Sequence, residues 1–437
     1  MLNKLKRLVA LDNPLRLLYH KIRAVIANVK YGFPHKEMTI IGVTGTNGKT
    51  TTCNIIAKGL REAGKKVFMF STVNIIVNNE EHTNTSKMTS PDVFTLQEWL
   101  SYAKKQGCEI AVIETASHGI KMNRIWGINY DIVCLTNISQ DHLDLHGTMN
   151  DYVQTKLKIF KNLMFYSRKK GVKKTGVINM DANYADLFLA ETYDTLFTYG
   201  KDYKANLQPN KTTASIEGTE FDLKIPGENI HIKTSLIGDF NVYNIMCAVG
   251  VFTSFGFSRE LIESSIAKVT GIPGRMDSIS SEDGFKVYID YAHTEDALKN
   301  VLSTFRNLKG VKRIITVFGA TGDRDKSKRP IMAQTISELS DIVILTEDDN
   351  YSEDVQDIIK DMLPGIERKE GDNFWIIADR KEAIRTAILS ARKGDIVLLA
   401  GKGDEHSIIR NHGADDWHDK TIAQEIIKEI GENKLVR

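Results

Sequence analysis

The chain has 437 residues, 58 of them basic and 56 acidic, for a net charge of +2. One core does not organise that length, so two large domains are expected, and the near balance of charge gives no reason to expect nucleic acid or an acidic polymer as partner. Four cysteines, Cys53, Cys108, Cys134 and Cys247, lie far apart with no C-x-x-C pair, which argues against a zinc ribbon or a disulfide framework and points to the cytoplasm.

The first element is basic and apolar. From Lys4 to Lys30 there are seven Lys or Arg and one acid, Asp12, while Leu5, Leu8, Val9, Leu15, Leu18, Ile22, Val25 and Ile26 recur near helical spacing. Residues 1–38 are therefore expected to form two amphipathic helical segments. They lack the apolar core and cleavage site of a signal peptide, and no run of 18 apolar residues occurs in the chain. Two readings stand: a helix packed on its own domain with solvated lysines, the simpler one, or a weak contact with an anionic membrane surface.

From Met38 the runs MTIIGVTG, KVFMFST, EIAVIET and YDIVCLTN read as buried parallel strands, with helices over residues 49–64 and 94–107 between them. Such alternation predicts an α/β fold, a parallel-sheet domain over 39–272 that binds its ligand at the carboxyl ends of the strands. The texture changes over 175–237, where GTEFDLKIP and NIHIKTSL alternate around GEN as a β-hairpin insertion. Beyond Pro273 the alternation resumes in FKVYIDYAH, RIITVFGATG, DIVILTED, NFWIIADR and DIVLLAGKG, five strands of a smaller Rossmann-like domain over 273–437.

Three stretches carry chemistry. In IGVTGTNGKTTT an apolar strand runs through Gly45, Thr46, Asn47 and Gly48 into a helix opening with Lys49, Thr50 and Thr51. Backbone N–H groups at such a helix start cradle phosphate, a lysine neutralises it and a hydroxyl can hold magnesium. Val43 stands where the strict phosphate-loop pattern has its first glycine. In VIETASHG, Glu114 and His118 lie near a strand end; in LTNISQDHLDLHGTMNDYVQTK, Asp141, His142, Asp144, His146 and Lys156 follow another. An acid and an imidazole at that edge suit magnesium beside phosphates. Taken singly, Asp141-His142 is also an ordinary helix start and Lys156 an ordinary surface lysine.

The series GTNGKTTT, ETASHGI, TNISQDHLDLHGTMNDYVQTK, GDFNVYN, GRMD, DYAHTEDAL, FGATGDRDKSKRP and AGKGDE, in this order from about Ile40 onward, resembles the Mur ligases, and most of all their tripeptide-synthetase branch. These are ATP-dependent amide-forming enzymes of peptidoglycan precursor synthesis whose loop begins G-T-[ND]-G-K-T, so Val43 is normal there. The resemblance implies that residues 45–51 bind ATP, that Thr50, Glu114, His142 and a carbamylated Lys156 hold two magnesium ions, and that Lys49, Glu114, His142 and Lys156 serve catalysis. Asn241, Asn244, Arg275, Asp290, His293, Arg324 and Lys328 would grip the nucleotide when the second domain closes and excludes water from an acyl phosphate. Thr89 and Ser90, in TSPDVFTLQEW, with Ser117 would meet the muramoyl peptide, and Asp349, Asn350, Tyr351, Ser352, Gly401 and Glu405 the incoming amino acid. A monomer acting on nucleotide-sugar peptide and amino-acid substrates is expected.

The pattern also breaks. Only about 38 residues precede the loop, where tripeptide synthetases carry a further UDP-gripping domain. UDP would then be held through other surfaces, or the substrate would be a lipid-linked muramoyl peptide; folylpolyglutamate-like or cyanophycin-like ligation and a non-catalytic nucleotide-binding scaffold are the other readings. The D-N-P-R of diaminopimelate-adding enzymes is D-N-Y-S here, with Tyr351 and Ser352 in place of proline and arginine, which disfavours diaminopimelate. Glu347, Asp348, Asp349, Glu353 and Asp354 would suit the ammonium of lysine or ornithine, or are a solvated acidic loop. Asp404 replaces a histidine in AGKGDE, and Glu295 a proline in HTEDAL.

Overall fold

The computed structural model describes residues 13–435 apart from 85 and 87. They fall into two compact units. The first runs up to Thr213 and adds Glu220–Thr234 and Asp239–Val269; the second takes Ala214–Thr219, Ser235–Gly238 and everything described from Thr270 onward. The division thus falls three residues before the expected Pro273, and the N-terminal helix belongs to the first unit.

That helix, α1 (Pro14–Lys30), starts where Asn13 accepts a hydrogen bond from Leu15 N at 2.9 Å and Pro14 takes the first helical position. It rests on the domain through small residues, Ala24 and Ala27, against Val93 and Phe94. The other expected helical segment, with Leu5, Leu8 and Val9, lies outside the described residues.

The first unit is built on one eight-stranded sheet in the order β4-β3-β2-β5-β1-β6-β7-β8. Its strands are β1 (Thr39–Thr44), β2 (Val67–Phe70), β3 (Asn74–Val77), β4 (Glu80–Thr83), β5 (Ile110–Glu114), β6 (Ile132–Leu135), β7 (Thr175–Asn179) and β8 (Thr195–Tyr199). Six run parallel, and β3 and β4 close one edge antiparallel. β1, β2, β5 and β6 are buried almost throughout, as strands covered on both faces must be. β1 lies between β5 and β6, so the helix α2 (Lys49–Glu62) springs from the middle of the sheet. The further helices α3 (Val93–Lys105), α4 (Ser117–Lys121), α5 (Met149–Lys161) and α6 (Asp239–Ser254) complete the frame of the site.

One expectation needs correction. The parallel sheet does not end at residue 175: β7 and β8 extend it, because TGVIN and TLFTY are five-residue runs that periodicity alone does not distinguish from hairpin strands. The separate three-stranded sheet begins later, with β9 (Gln208–Ser215), β10 (Gly218–Ile225) and β11 (Glu228–Thr234). In β10 and β11 apolar residues alternate with exposed polar ones.

The second unit carries a sheet ordered β12-β13-β17-β14-β15-β16, parallel except at β12. Its strands are β12 (Asp277–Ser280), β13 (Lys286–Asp290), β14 (Ile314–Phe318), β15 (Ile342–Leu345), β16 (Phe374–Ile376) and β17 (Ile396–Ala400), and a two-stranded ribbon follows, β18 (Ser407–Arg410) and β19 (Gly413–Asp416). Val287, Ile315, Val317, Val397 and Leu399 pack on Ile384, Ile388 and Ile426 from the helices α9 (Arg380–Ser390) and α10 (Asp419–Leu435), while α7 (Glu295–Asn307) and α8 (Lys328–Leu339) are further helices of the unit. Glu295 is the first residue of α7, behind the Thr294 cap. Proline favours that position by its fixed φ and an acid by the helix dipole, so the exchange leaves the helix intact.

Candidate active site

The loop after β1 is shaped by its own glycines. Gly48 caps α2 with φ 80°, and a Cβ at Gly45 would strike Thr136 Oγ1 and the Asn137 backbone. Thr136 and Asn137, just past β6, clamp the turn from below: Asn47 N donates to Asn137 Oδ1 at 2.9 Å, and Thr136 Oγ1 donates to Asn47 O at 2.7 Å. Thr46 Oγ1 donates to Ser139 O and accepts from Ser139 N, so the Tyr152 hydroxyl, 3.0 Å away, is its second donor. Burial pushes that phenol up to about 12, which keeps the proton in place. The first N–H groups of α2 have no acceptor within the helix and converge with Lys49 at one end, the arrangement that receives a phosphate. Lys49 Nζ donates to Thr46 O at 2.6 Å. On the other side Thr52 Oγ1 donates to Asn244 Oδ1, and Asn244 Nδ2 to Asn241 Oδ1, joining these two residues of α6 to α2.

Glu114, the last residue of β5, is 1% exposed, and its partners are neutral. Thr50 Oγ1 lies 3.0 Å from each carboxylate oxygen, and Thr72 donates its N–H at 2.7 Å and its hydroxyl at 3.0 Å. A buried carboxylate held by neutral donors beside a phosphate loop, with a threonine hydroxyl in reach, is an all-oxygen set that fits a hard divalent cation. Thr72 Oγ1 also lies 2.8 Å from Thr89 Oγ1, which ties the expected peptide-binding threonine to the same corner. Ser90 Oγ accepts from Ala116 N at 3.3 Å.

Lys156 is not a surface lysine. It sits one turn after Tyr152 on the buried face of α5, 1% exposed, its Nζ 2.6 Å from Gly45 O and 4.5 Å from the Tyr152 ring centre. Burial, reinforced by Lys49, drives its pKa well below the ordinary lysine range. His142 stands at φ 51° with its Nε2 3.3 Å from Asp141 Oδ2, half exposed, its ring 6.5 Å from that of Tyr152. The structure thus brings Lys49, Thr50, Glu114, His142 and Lys156 to neighbouring strand ends. Ser117 Oγ lies 3.0 Å from His146 Nε2, and burial lowers the His146 pKa to about 4. Thr72, Thr136, Asn137 and Tyr152 were not among the expected site residues, and His146 was singled out only by its place after a strand. All but the two on helices follow directly on strand ends, which is the signal that marks them.

In the second unit Asp290 ends β13 and accepts from Met276 N and Ala292 N, each at 2.8 Å. Burial raises its pKa against the opposing Arg275. Arg275 lies over the Tyr291 ring at 4.6 Å, and His293 contacts the same ring, so two expected nucleotide residues gather around one tyrosine. Arg324 and Lys328 are exposed, Arg324 5.8 Å from the Tyr351 ring centre.

The acidic stretch is not a solvated loop, since its carboxylates are paired within the second unit. Glu347 pairs with Arg410 at 2.6 Å, Asp349 with Lys402 at 2.8 Å and Glu353 with Arg329 at 2.8 Å, while Asp354 caps a helix. Lys402 also reaches Glu405 at 2.8 Å and Asp348 at 3.6 Å. Burial opposes its charge, but these carboxylates outweigh burial and hold the pKa above the ordinary value. A Cβ on Gly401, at φ 108°, would press on Asp348. Ser352 Oγ donates to Asp323 at 2.7 Å, Asn350 Nδ2 lies 3.3 Å from Glu347, and Asp404 pairs with His418 at 3.2 Å.

Residues 43–252 match the Mur ligase middle domain, and residues 274–403 the Mur ligase glutamate ligase domain. The chain is 37% identical over 429 residues to the UDP-N-acetylmuramoyl-L-alanyl-D-glutamate--2,6-diaminopimelate ligase of Geobacillus kaustophilus (strain HTA426), an alignment that covers 98% of this chain and 86% of that one. It is 37% identical over 426 residues to the ligase of that name from Bacillus cereus, over 97% and 85% of the two chains. A solved structure of such a ligase superposes with TM-score 0.68 at 31% identity, over 94% of this chain and 83% of that one. Folylpolyglutamate synthase of Mycobacterium tuberculosis, at 17% identity, shares the fold with TM-score 0.67 over 87% and 92%. The chain belongs to the Mur ligase family of ATP-dependent amide-forming enzymes, and within it is MurE-like.

Proposed function

We propose that the chain is a cytoplasmic, monomeric ligase that adds an amino acid to UDP-N-acetylmuramoyl-L-alanyl-D-glutamate. The observation that carries this reading is the Thr50–Glu114 pair at the start of α2, an oxygen site built into a phosphate loop. ATP lies along residues 45–51, with Asn241 and Asn244 beside it. The family resemblance assigns Arg275, Asp290, His293, Arg324 and Lys328 of the second unit to the nucleotide as well. Thr50, Glu114, His142 and a carbamylated Lys156 would hold two magnesium ions, which supply positive charge to the phosphates.

A substrate carboxylate, positioned by Thr89, Ser90 and Ser117, attacks the γ-phosphorus, and ADP leaves. Lys49 offsets the charge that develops on the transferring group. The amino group of the incoming amino acid attacks the acyl phosphate and gives up a proton to solvent, and the tetrahedral intermediate releases phosphate to leave the amide. The lowered pKa of Lys156 supports carbamylation, because only a neutral amine attacks carbon dioxide; the new N–C bond forms as the amine loses a proton.

The relatives named above are diaminopimelate ligases. Here Ser352 is committed to Asp323 and offers no guanidinium to a distal carboxylate, so the third amino acid is one other than diaminopimelate. Purified protein, ATP, magnesium and the UDP-linked dipeptide are mixed with an equimolar set of amino acids, lysine, ornithine and diaminopimelate among them, and the product is weighed by mass spectrometry. One tripeptide mass is expected. A diaminopimelate product would refute the reading of Ser352 and leave the ligase reading standing; no product, with a working control enzyme, would refute the ligase reading.

A further inference from the structure

Helix α1 is seated the wrong way round for a helix that serves only its own domain. Its buried residues are Ala24, Ala27 and Asn28, whereas Leu15, Leu18, Ile22, Val25, Ile26 and Val29 form one stripe on the opposite face, from 41% exposed at Val25 to 76% at Leu15. Single exposed leucines are ordinary on a protein surface, but a continuous apolar stripe along four turns marks a contact.

The charges select the partner. Arg16, Lys21, Arg23 and Lys30 are the ionised side chains of α1, which carries no acid. They flank the stripe without interrupting it: Arg23 reaches Asp92 at 2.9 Å, and Lys21 and Lys30 lie over the rings of Trp126 and Phe94 at 5.5 and 5.8 Å. The spacing of Leu15, Leu18, Ile22, Val25 and Val29 would also suit a coiled-coil seam. A second copy, however, would bring two basic flanks together, and Asp92 beside Arg23 offsets only part of that charge. An anionic bilayer accepts both features at once, taking the apolar stripe among its acyl chains and the basic flanks among its headgroups.

We propose that α1 docks the protein on an anionic lipid surface, with the stripe from Leu15 to Val29 as the inserted face. The exposed stripe includes no residue assigned to ligation, so this proposal goes beyond the proposed function.

The test is co-sedimentation of the full chain with vesicles of phosphatidylcholine alone and of equimolar phosphatidylcholine and phosphatidylglycerol, at low and high salt. Binding to the anionic vesicles is expected, weakened by salt and weaker on neutral ones. Leu18→Glu/Ile22→Glu should abolish it, and Lys21→Gln/Lys30→Gln should weaken it about fivefold per charge removed. Both variants should still form product from the soluble substrate, which separates this proposal from the ligase reading. The lysine pair, on the surface, keeps the test decisive if the first variant fails to fold. A wild-type chain that stays in the supernatant, variants that pellet like it, or a wild-type dimer that Leu18→Glu/Ile22→Glu renders monomeric would each overturn the proposal.

Discussion

Lys156 in the first unit and Lys402 in the second are both buried, and burial has opposite consequences for them. Lys402 is surrounded by Asp348, Asp349 and Glu405 and is held charged. Lys156 has a backbone carbonyl as partner and Lys49 as neighbour, so its charge is disfavoured. The carboxylates divide in the same way. Those of the acidic stretch in the second unit are matched by cations, whereas Glu114 is held by hydroxyls and an N–H. Where charge is balanced within the chain the residues hold the fold; where it is not, they are left for a ligand.

Substitutions sharpen this contrast. Lys49→Ala should cost on the order of 10²- to 10³-fold in kcat, read as tripeptide formation, because positive charge at the transferring phosphate is lost. Lys402→Met should leave three acids facing one another and destabilise the second unit by about 3–5 kcal/mol in urea denaturation. Lys156→Met removes an amine whose charge is disfavoured by burial and Lys49 more than it is favoured by Asp141 and Glu114, so stability should hold or rise while activity is lost. An equal loss of stability in both methionine variants would break the comparison.

The pH dependence follows from the directions of the shifts. The folded pKa of Lys156 lies below the unfolded one, so the unfolded chain binds the extra proton in the interval between them, and stability rises with pH across that interval. Lys156→Met should remove this slope. For His146, with a folded pKa of about 4 against an ordinary 6.5, the contribution is complete above 6.5 and lost as pH falls toward 4. His146→Asn should flatten that acid limb in thermal melts. The smallest effect is expected at the amino-acid end, where Tyr351→Pro/Ser352→Arg should raise kcat/KM for diaminopimelate by roughly tenfold, about the value of one hydrogen bond to a charged group.

Much of this was legible in the chain. Short apolar runs ending in glycine or polar residues located β1, β2, β5 and β6, and all five expected strands of the second sheet form. The phosphate loop was readable because strand, glycines and helix start are contiguous. The environment of Lys156 was not, because burial depends on how α5 lies under the loop, and nothing in YVQTK records that. The pairing of the acidic stretch was hidden for the same reason: Arg410, Lys402 and Arg329 come from other strands, loops and helices, and only the fold delivers them. The outward direction of the α1 stripe was not legible, because periodicity shows that a helix has an apolar face but not which way that face points.

Glu114 is kept among neutral donors for a cation that the chain does not itself supply. Thermal melts of the wild type and Glu114→Gln, with and without magnesium and ATP, test it most directly. The glutamine variant should melt no lower than the wild type in metal-free buffer, and magnesium with ATP should raise the melting temperature of the wild type alone. A variant that is already destabilised without metal, or that is stabilised by magnesium and ATP as fully as the wild type, would contradict it.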